Sequence, residues 1–82
     1  MVLSKRWRDL TRETVGAAPN RYGVYELGDA DGRVLEVGCG VLPDELKDAL
    51  AYGSGEQVRW EACQTEAEAK DLAADHRDRA GL

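Results

Sequence analysis

Residues 22–38 show the pattern of a β-hairpin, and the rest of the chain is organised around it. Apolar and polar positions alternate in both halves of this segment, as they do in strands whose successive side chains point to opposite faces. The loop between the halves contains Gly28, Asp31 and Gly32, which are residue types that turns favour. We therefore expect two antiparallel strands joined by a short loop.

The register of this hairpin decides which side chains share a face of the sheet. A four-residue loop places Tyr25 opposite Glu36, and a two-residue turn at Asp31-Gly32 places it opposite Gly38. Both registers keep Tyr25 and Glu36 on one face, whereas a three-residue bulged loop separates them. The core of the sheet is expected to include the following side chains: Val24, Leu35, Val37 and Trp60.

A helix is predicted before the hairpin, within residues 1–18. Ser4 is a suitable N-cap, and side chains from Leu3 to Thr14 recur at helical spacing. Trp7 is the largest of them, so we expect it to pack against the sheet. The helix is expected to end near Thr14 because glycine and proline follow within a few residues.

Three more elements follow the hairpin. A second helix starts near Pro43 and ends at Gly53, because proline is favoured in a first turn and glycine stops a helix. Residues 57–64 alternate as a third strand. Thr65 and Glu68 form a capping box that opens the last helix. On the apolar face of that helix lies His76, which we expect to be a packing residue with its hydrogen bonds satisfied.

The predicted order is helix, strand, strand, helix, strand, helix, which defines an α+β domain with a small three-stranded antiparallel sheet covered by helices. At 82 residues the chain has room for one hydrophobic core, so residues 1–82 are expected to form a single domain. No apolar run approaches the ~18–20 residues of a membrane span, and no signal segment is recognisable. We expect a cytoplasmic protein that does not enter membranes.

The composition is acidic and unevenly distributed. The net charge is −5, from 16 acidic and 11 basic residues. Residues 1–21 have a net charge of +3, so the remaining residues have a net charge of −8. Few lysines and an acidic surface fit a halophilic protein kept soluble at high salt, and they equally fit an ordinary acidic protein. Cys39 and Cys63 match no zinc-binding spacing and are expected to be free thiols.

The basic excess near the N-terminus has two explanations. Lys5, Arg8 and Arg12 share one face of the predicted first helix and form a basic stripe. Such a stripe can contact phosphates of a nucleic acid. It can equally be the solvated face of a helix whose other face covers the sheet. The strong negative charge of the remaining chain opposes non-specific binding to nucleic acid.

Two short motifs on the hairpin resemble a known family. Gly23-Val24-Tyr25 and Glu36-Val37-Gly38 are similar to the two motifs of the GIY-YIG nuclease superfamily, and the resemblance extends over residues 19–76. Pro19 before the first motif and the Thr-Glu-Ala-Glu-Ala sequence that opens the last helix also fit it. The resemblance implies the same order of hairpin, helix, strand and helix.

Family members cut a nucleic-acid phosphodiester with two tyrosines, an arginine and a metal-binding glutamate, and the resemblance assigns each a counterpart here. Tyr25 matches the first tyrosine, and Glu36 stands in place of the second. The arginine position falls on or beside Leu46, with Lys47 as the nearest cation, and the glutamate position falls at Ala73. Three of the four positions are therefore altered.

A domain that keeps the fold and lacks these groups is expected to be a catalytically inactive binding module without a cofactor. Its partner is then a nucleic acid, another protein or a second copy of the chain. The expected contact residues are Lys5, Arg8, Arg12 and Lys47. The alternative is an endonuclease that uses Mg²⁺ or Mn²⁺, in which Tyr25 acts as general base or orients the nucleophile. Its metal ligands are a regrouped set: Glu36, Asp71 and Asp75.

Overall fold

The computed structural model describes residues 6–53 and 55–82. The elements in chain order are β1 (Arg8–Asp9), α1 (Arg12–Gly16), β2 (Tyr22–Gly28), β3 (Val34–Val41), α2 (Leu42–Tyr52), β4 (Gln57–Ala62) and α3 (Glu66–Ala80). The strands form one antiparallel sheet in the order β1-β4-β2-β3. The α+β class is confirmed, and the sheet has four strands rather than the three predicted.

The hairpin of β2 and β3 pairs Tyr25 with Gly38, which is one of the two expected registers. Tyr25 and Glu36 accordingly lie on the same face and line a common pocket. The register shifts at the end of β2, next to the loop. Beside this irregularity Leu35 is 38% exposed, so its predicted place in the core is wrong.

From residue 6 onward, residues 1–18 do not form the single helix predicted for them. The chain first pairs with β4 as β1, and α1 begins only after Thr11, whose hydroxyl accepts a hydrogen bond from the backbone N–H of Thr14 at 3.2 Å. Trp7 and Arg8 each stack on a β4 side chain, and this tertiary pairing outweighs the local helical spacing. The predicted positions Leu3, Ser4 and Lys5 lie outside the described residues.

The alternating faces of the strands build two apolar cores. On one face, side chains of α1 and α2 pack against the sheet, and Trp60 is partly buried against this core. On the other face, Ala73 of α3 packs against Val24 and Val37. Since β2 lies inside the sheet with both faces covered, its residues from Gly23 to Gly28 are all buried.

The two longer helices follow the sequence signals closely. Pro43 lies in the first turn of α2, and Gly53 follows its last residue, as predicted. Thr65 caps α3 by accepting a hydrogen bond from the backbone N–H of Glu68 at 3.1 Å, and Gly81 ends the helix in a left-handed conformation. No helix within the described residues is long and apolar enough to span a bilayer.

Candidate functional site

Tyr25 occupies the middle of the sheet on the face that α2 covers. Its neighbours across the strands are Gly38 on β3 and Trp60 on β4. A side-chain carbon at position 38 would collide with the ring and hydroxyl of Tyr25. Glycine at this position therefore lets the tyrosine lie flat across β3 and point its hydroxyl towards α2.

The Tyr25 hydroxyl opens into a small pocket with an acidic lining. The pocket has a volume of about 170 Å³ and includes Tyr25, Glu36, Glu45 and Asp48. The hydroxyl donates to Oε1 of Glu45 over 3.5 Å, which is a long hydrogen bond. No arginine or lysine is among the described lining residues, so no positive charge in the lining compensates the carboxylates. The pocket therefore repels a phosphate group. We call it the tyrosine pocket.

The surroundings keep the Tyr25 hydroxyl protonated. Burial of the phenol, together with the nearby carboxylates of Glu45 and Glu36, raises the pKa of Tyr25 from 10.0 to about 12. A phenol with this pKa is neutral at physiological pH. It can donate a hydrogen bond, but it is a poor general base and a poor nucleophile.

The remaining positions implied by the family resemblance contribute no polar group to the tyrosine pocket, although Leu46 shares a core with Tyr25. Leu46 is fully buried in the core beneath α2, and Ala73 is fully buried in the core beneath α3 on the opposite face of the sheet. The side chain of Lys47 lines a different groove, beside Arg12 of α1. Thus neither a cation nor an acidic group from α3 reaches the tyrosine pocket among the described residues.

The alternative metal ligands are also separated. Glu36 lines the tyrosine pocket, while Asp71 and Asp75 belong to α3, which packs on the other face of the sheet. Asp75 is paired with Arg79 of the next turn at 3.1 Å. Residues 6–53 and 55–82 contain no group of three or more His, Cys, Asp or Glu side chains arranged to hold a metal ion. The proposed set of Glu36, Asp71 and Asp75 is therefore not brought together.

The predicted basic stripe is divided between two places. Arg8 of β1 lies over the ring of Trp60, 5.0 Å from its centroid. Arg12 of α1 lines a groove of about 500 Å³ with Lys47. Because Arg8 belongs to a strand and Arg12 to the following helix, they do not form a continuous helical face. Lys5, the third member, lies outside the described residues.

The structure reveals a buried ionic cluster that the sequence pattern did not single out. Glu26 is fully buried on the α3 face, where its Oε1 accepts a hydrogen bond from Nε of Arg59 at 2.6 Å. Its Oε2 lies 3.9 Å from Nδ1 of His76, and neither of these two atoms has a hydrogen-bond partner among the described residues. His76 is buried as expected, but at its Nδ1 the expected hydrogen bond is not formed within the described residues.

Two arginine–tryptophan stacks join the N-terminal segment to β4. The Arg59 guanidinium lies 4.1 Å from the centroid of the Trp7 ring, and Arg8 lies over Trp60. Extending the β1–β4 register by one residue places Trp7 directly opposite Arg59. Each stack therefore joins the N-terminal segment to β4, and each of these two segments supplies one arginine and one tryptophan at neighbouring positions. The sequence shows these residues, but their stacking can be recognised only when the strand pairing is known.

These features define a small α+β domain with an acidic tyrosine pocket on one face of its sheet and a buried ionic cluster on the other. The chain belongs to the family DUF7508, a domain of unknown function, whose family model matches residues 1–79. No curated protein and no solved structure is significantly similar to it.

Proposed function

We propose that this domain is a non-catalytic binding module whose central hairpin resembles that of the GIY-YIG nucleases. The order of hairpin, helix, strand and helix from β2 to α3 supports the resemblance. The glycine of the second motif, Gly38, has a defined role in making room for the ring of Tyr25. The module therefore keeps the framework of the site while its chemistry is altered.

One observation carries the proposal, namely the acidic surroundings of a neutral Tyr25. Cleavage of a phosphodiester needs a positioned nucleophile, and a cation or metal to stabilise negative charge in the transition state. In the tyrosine pocket the neighbours are Glu36, Glu45 and Asp48, and the pKa of Tyr25 is raised to about 12. The site lacks an electrophilic group among its described residues and disfavours the approach of phosphate.

A binding role is consistent with the distribution of charge along the chain. Residues 1–21 have a net charge of +3, whereas the remaining residues sum to −8. A chain with a basic segment and an acidic segment can recognise a nucleic acid or a protein of complementary charge. The proposal includes both partner classes, and a second copy of the chain is one of the protein partners.

The test is a cleavage assay on single-stranded, duplex and branched DNA and on RNA, with Mg²⁺ and with Mn²⁺. We expect no product above that of a buffer control. Metal-dependent turnover that disappears in Tyr25→Phe or Glu36→Gln, and persists in Tyr22→Phe, would overturn the proposal and establish an endonuclease. Turnover that survives all three substitutions comes from a contaminating nuclease.

A further inference from the structure

A second surface lies where the N-terminal segment meets β4. It is a groove of about 340 Å³, and its lining includes Arg6, Arg8, Arg59 and Trp60. β1 pairs only with the first two residues of β4, so the remaining residues of β4 have no strand partner on this side among the described residues. We call this surface the arginine groove.

The arginines of this groove differ in what they already bind. Arg59 forms the buried ion pair with Glu26 and stacks on Trp7, so its charge is largely compensated. Arg6 and Arg8 form no ion pair within the described part of the chain. Glu61 is the acidic residue in the lining. The groove thus has two guanidinium groups available for an anion in a chain of net charge −5.

The arrangement of Arg8 and Trp60 adds a second kind of recognition. The guanidinium of Arg8 lies over the indole of Trp60, and the indole is only partly buried. Guanidinium and indole planes are surfaces on which unpaired nucleic-acid bases stack. An acidic peptide matches the charge of the groove but offers no flat ring for this platform. Bases of a duplex are already stacked on each other.

We propose that the arginine groove binds single-stranded nucleic acid, with phosphates on Arg6 and Arg8 and a base stacked on the Arg8–Trp60 platform. This proposal rests on the binding role proposed above and gives it a place and a ligand class. The proposal also separates the contact surface, which lies along the N-terminal segment and β4, from the acidic tyrosine pocket, which lies between β3 and α2.

The test uses fluorescence anisotropy of the full chain with fluorescein-labelled 12-residue oligouridine and oligothymidine at several salt concentrations. The groove variant is Arg6→Gln/Arg8→Gln. The matched control is Lys70→Gln/Arg79→Gln, which removes the same charge from the exposed surface of α3. We expect the groove variant to lose at least about tenfold in affinity at low salt, and its slope of log affinity against log salt to flatten by about 1.4. The control variant should lose far less.

A second measurement follows stacking on Trp60. Binding should quench the tryptophan fluorescence of the parent, and Trp60→Phe should reduce this quenching while circular dichroism confirms that the variant is folded. Equal weakening in both double variants, no binding at all, tighter binding of a duplex, or tighter binding of a polyglutamate peptide of the same charge would overturn the inference. An absence of binding without cleavage leaves the non-catalytic assignment intact, whereas tyrosine-dependent cleavage overturns that assignment whatever the groove binds.

Discussion

The Glu26 carboxylate and the Arg59 guanidinium form a 2.6 Å ion pair across β2 and β4, and Glu26 has no solvent exposure. An ion pair enclosed in this way is a poor source of net stability, because both charges lose their hydration. Removing the charge of either residue would nevertheless leave the other charge buried without a partner, which is strongly destabilising. The ring of Trp7 stacks on the guanidinium of Arg59. The cluster therefore ties the N-terminal segment to the centre of the sheet.

Glu26→Gln tests this dependence, because it keeps the shape of the side chain and removes its charge. We expect the free energy of unfolding to fall by about 3–5 kcal/mol, the cost of removing one member of a buried pair. The matched control is Asp75→Asn, which breaks the exposed pair with Arg79 on α3 and should cost no more than about 0.5 kcal/mol. Urea unfolding of both variants measures the difference. Equal losses in the two variants would contradict the strong dependence of Arg59 on the charge of Glu26.

Gly38→Ala tests the close approach of Tyr25 to β3. The added carbon meets the tyrosine ring, so the ring or the strand must shift, and we expect a loss of about 1–3 kcal/mol in the free energy of unfolding. Gly16→Ala is the control, because a carbon added there has no neighbour within 4 Å and should be neutral or slightly stabilising. Thermal or urea unfolding compares them. A Gly38→Ala variant as stable as the parent would contradict the packing described for Tyr25.

Tyr25 should make the stability of the domain depend on alkaline pH. Its pKa is raised to about 12 in the folded protein, mainly by burial and then by Glu45 and Glu36, against about 10 for an unfolded chain. The contribution of the neutral phenol to the free energy of unfolding is therefore complete below pH 10 and is lost as pH rises from 10 towards 12. Two pH units correspond to about 2–3 kcal/mol.

Urea unfolding at pH 9, 10 and 11, combined with absorbance of the phenolate at 295 nm, measures this effect. Tyr25→Phe should lack both the late ionisation and the additional loss of stability, while Tyr22→Phe should retain them. Ionisation of Tyr25 near pH 10 would contradict the raised pKa that its buried and acidic surroundings imply.

The two cysteines should differ in reactivity. Burial raises the pKa of Cys63, and the carboxylates of Glu68 and Glu61 raise it further, while Cys39 is partly exposed. Because the thiolate is the reactive species, we expect one thiol per native chain to react with Ellman's reagent and the second to react about tenfold or more slowly. Cys39→Ser should remove the fast phase and Cys63→Ser the slow one. Equal rates would contradict the enclosure of Cys63.

Much of the fold could be predicted because local signals and tertiary contacts agree. Thr65 and Glu68 mark the start of α3, and Pro43 and Gly53 bound α2, since these residue types satisfy helix ends by themselves. The sequence also predicted that Val24 and Tyr25 lie on opposite faces of the sheet, because successive side chains of a strand alternate between its two faces.

The sequence-based predictions were wrong or incomplete where contacts between residues distant in the sequence determine the structure. The spacing of apolar residues near Trp7 fits a helix, and the stacks with Arg59 and Trp60 that favour a strand involve residues some fifty positions away in the sequence. The importance of Glu26 was hidden for a similar reason. Its face of the strand is identifiable from the sequence, but only the packing of α3 shows that this face is closed to water.

The central claim, that the tyrosine pocket does not cleave nucleic acid, is tested most directly by a single-turnover assay. Purified protein in large excess over labelled single-stranded and branched DNA is incubated with Mg²⁺ or Mn²⁺ beside the Tyr25→Phe variant, so that even a very slow reaction accumulates product. The account predicts that parent and variant give the same product as buffer alone. Metal-dependent product that forms with the parent and is missing with Tyr25→Phe would contradict it.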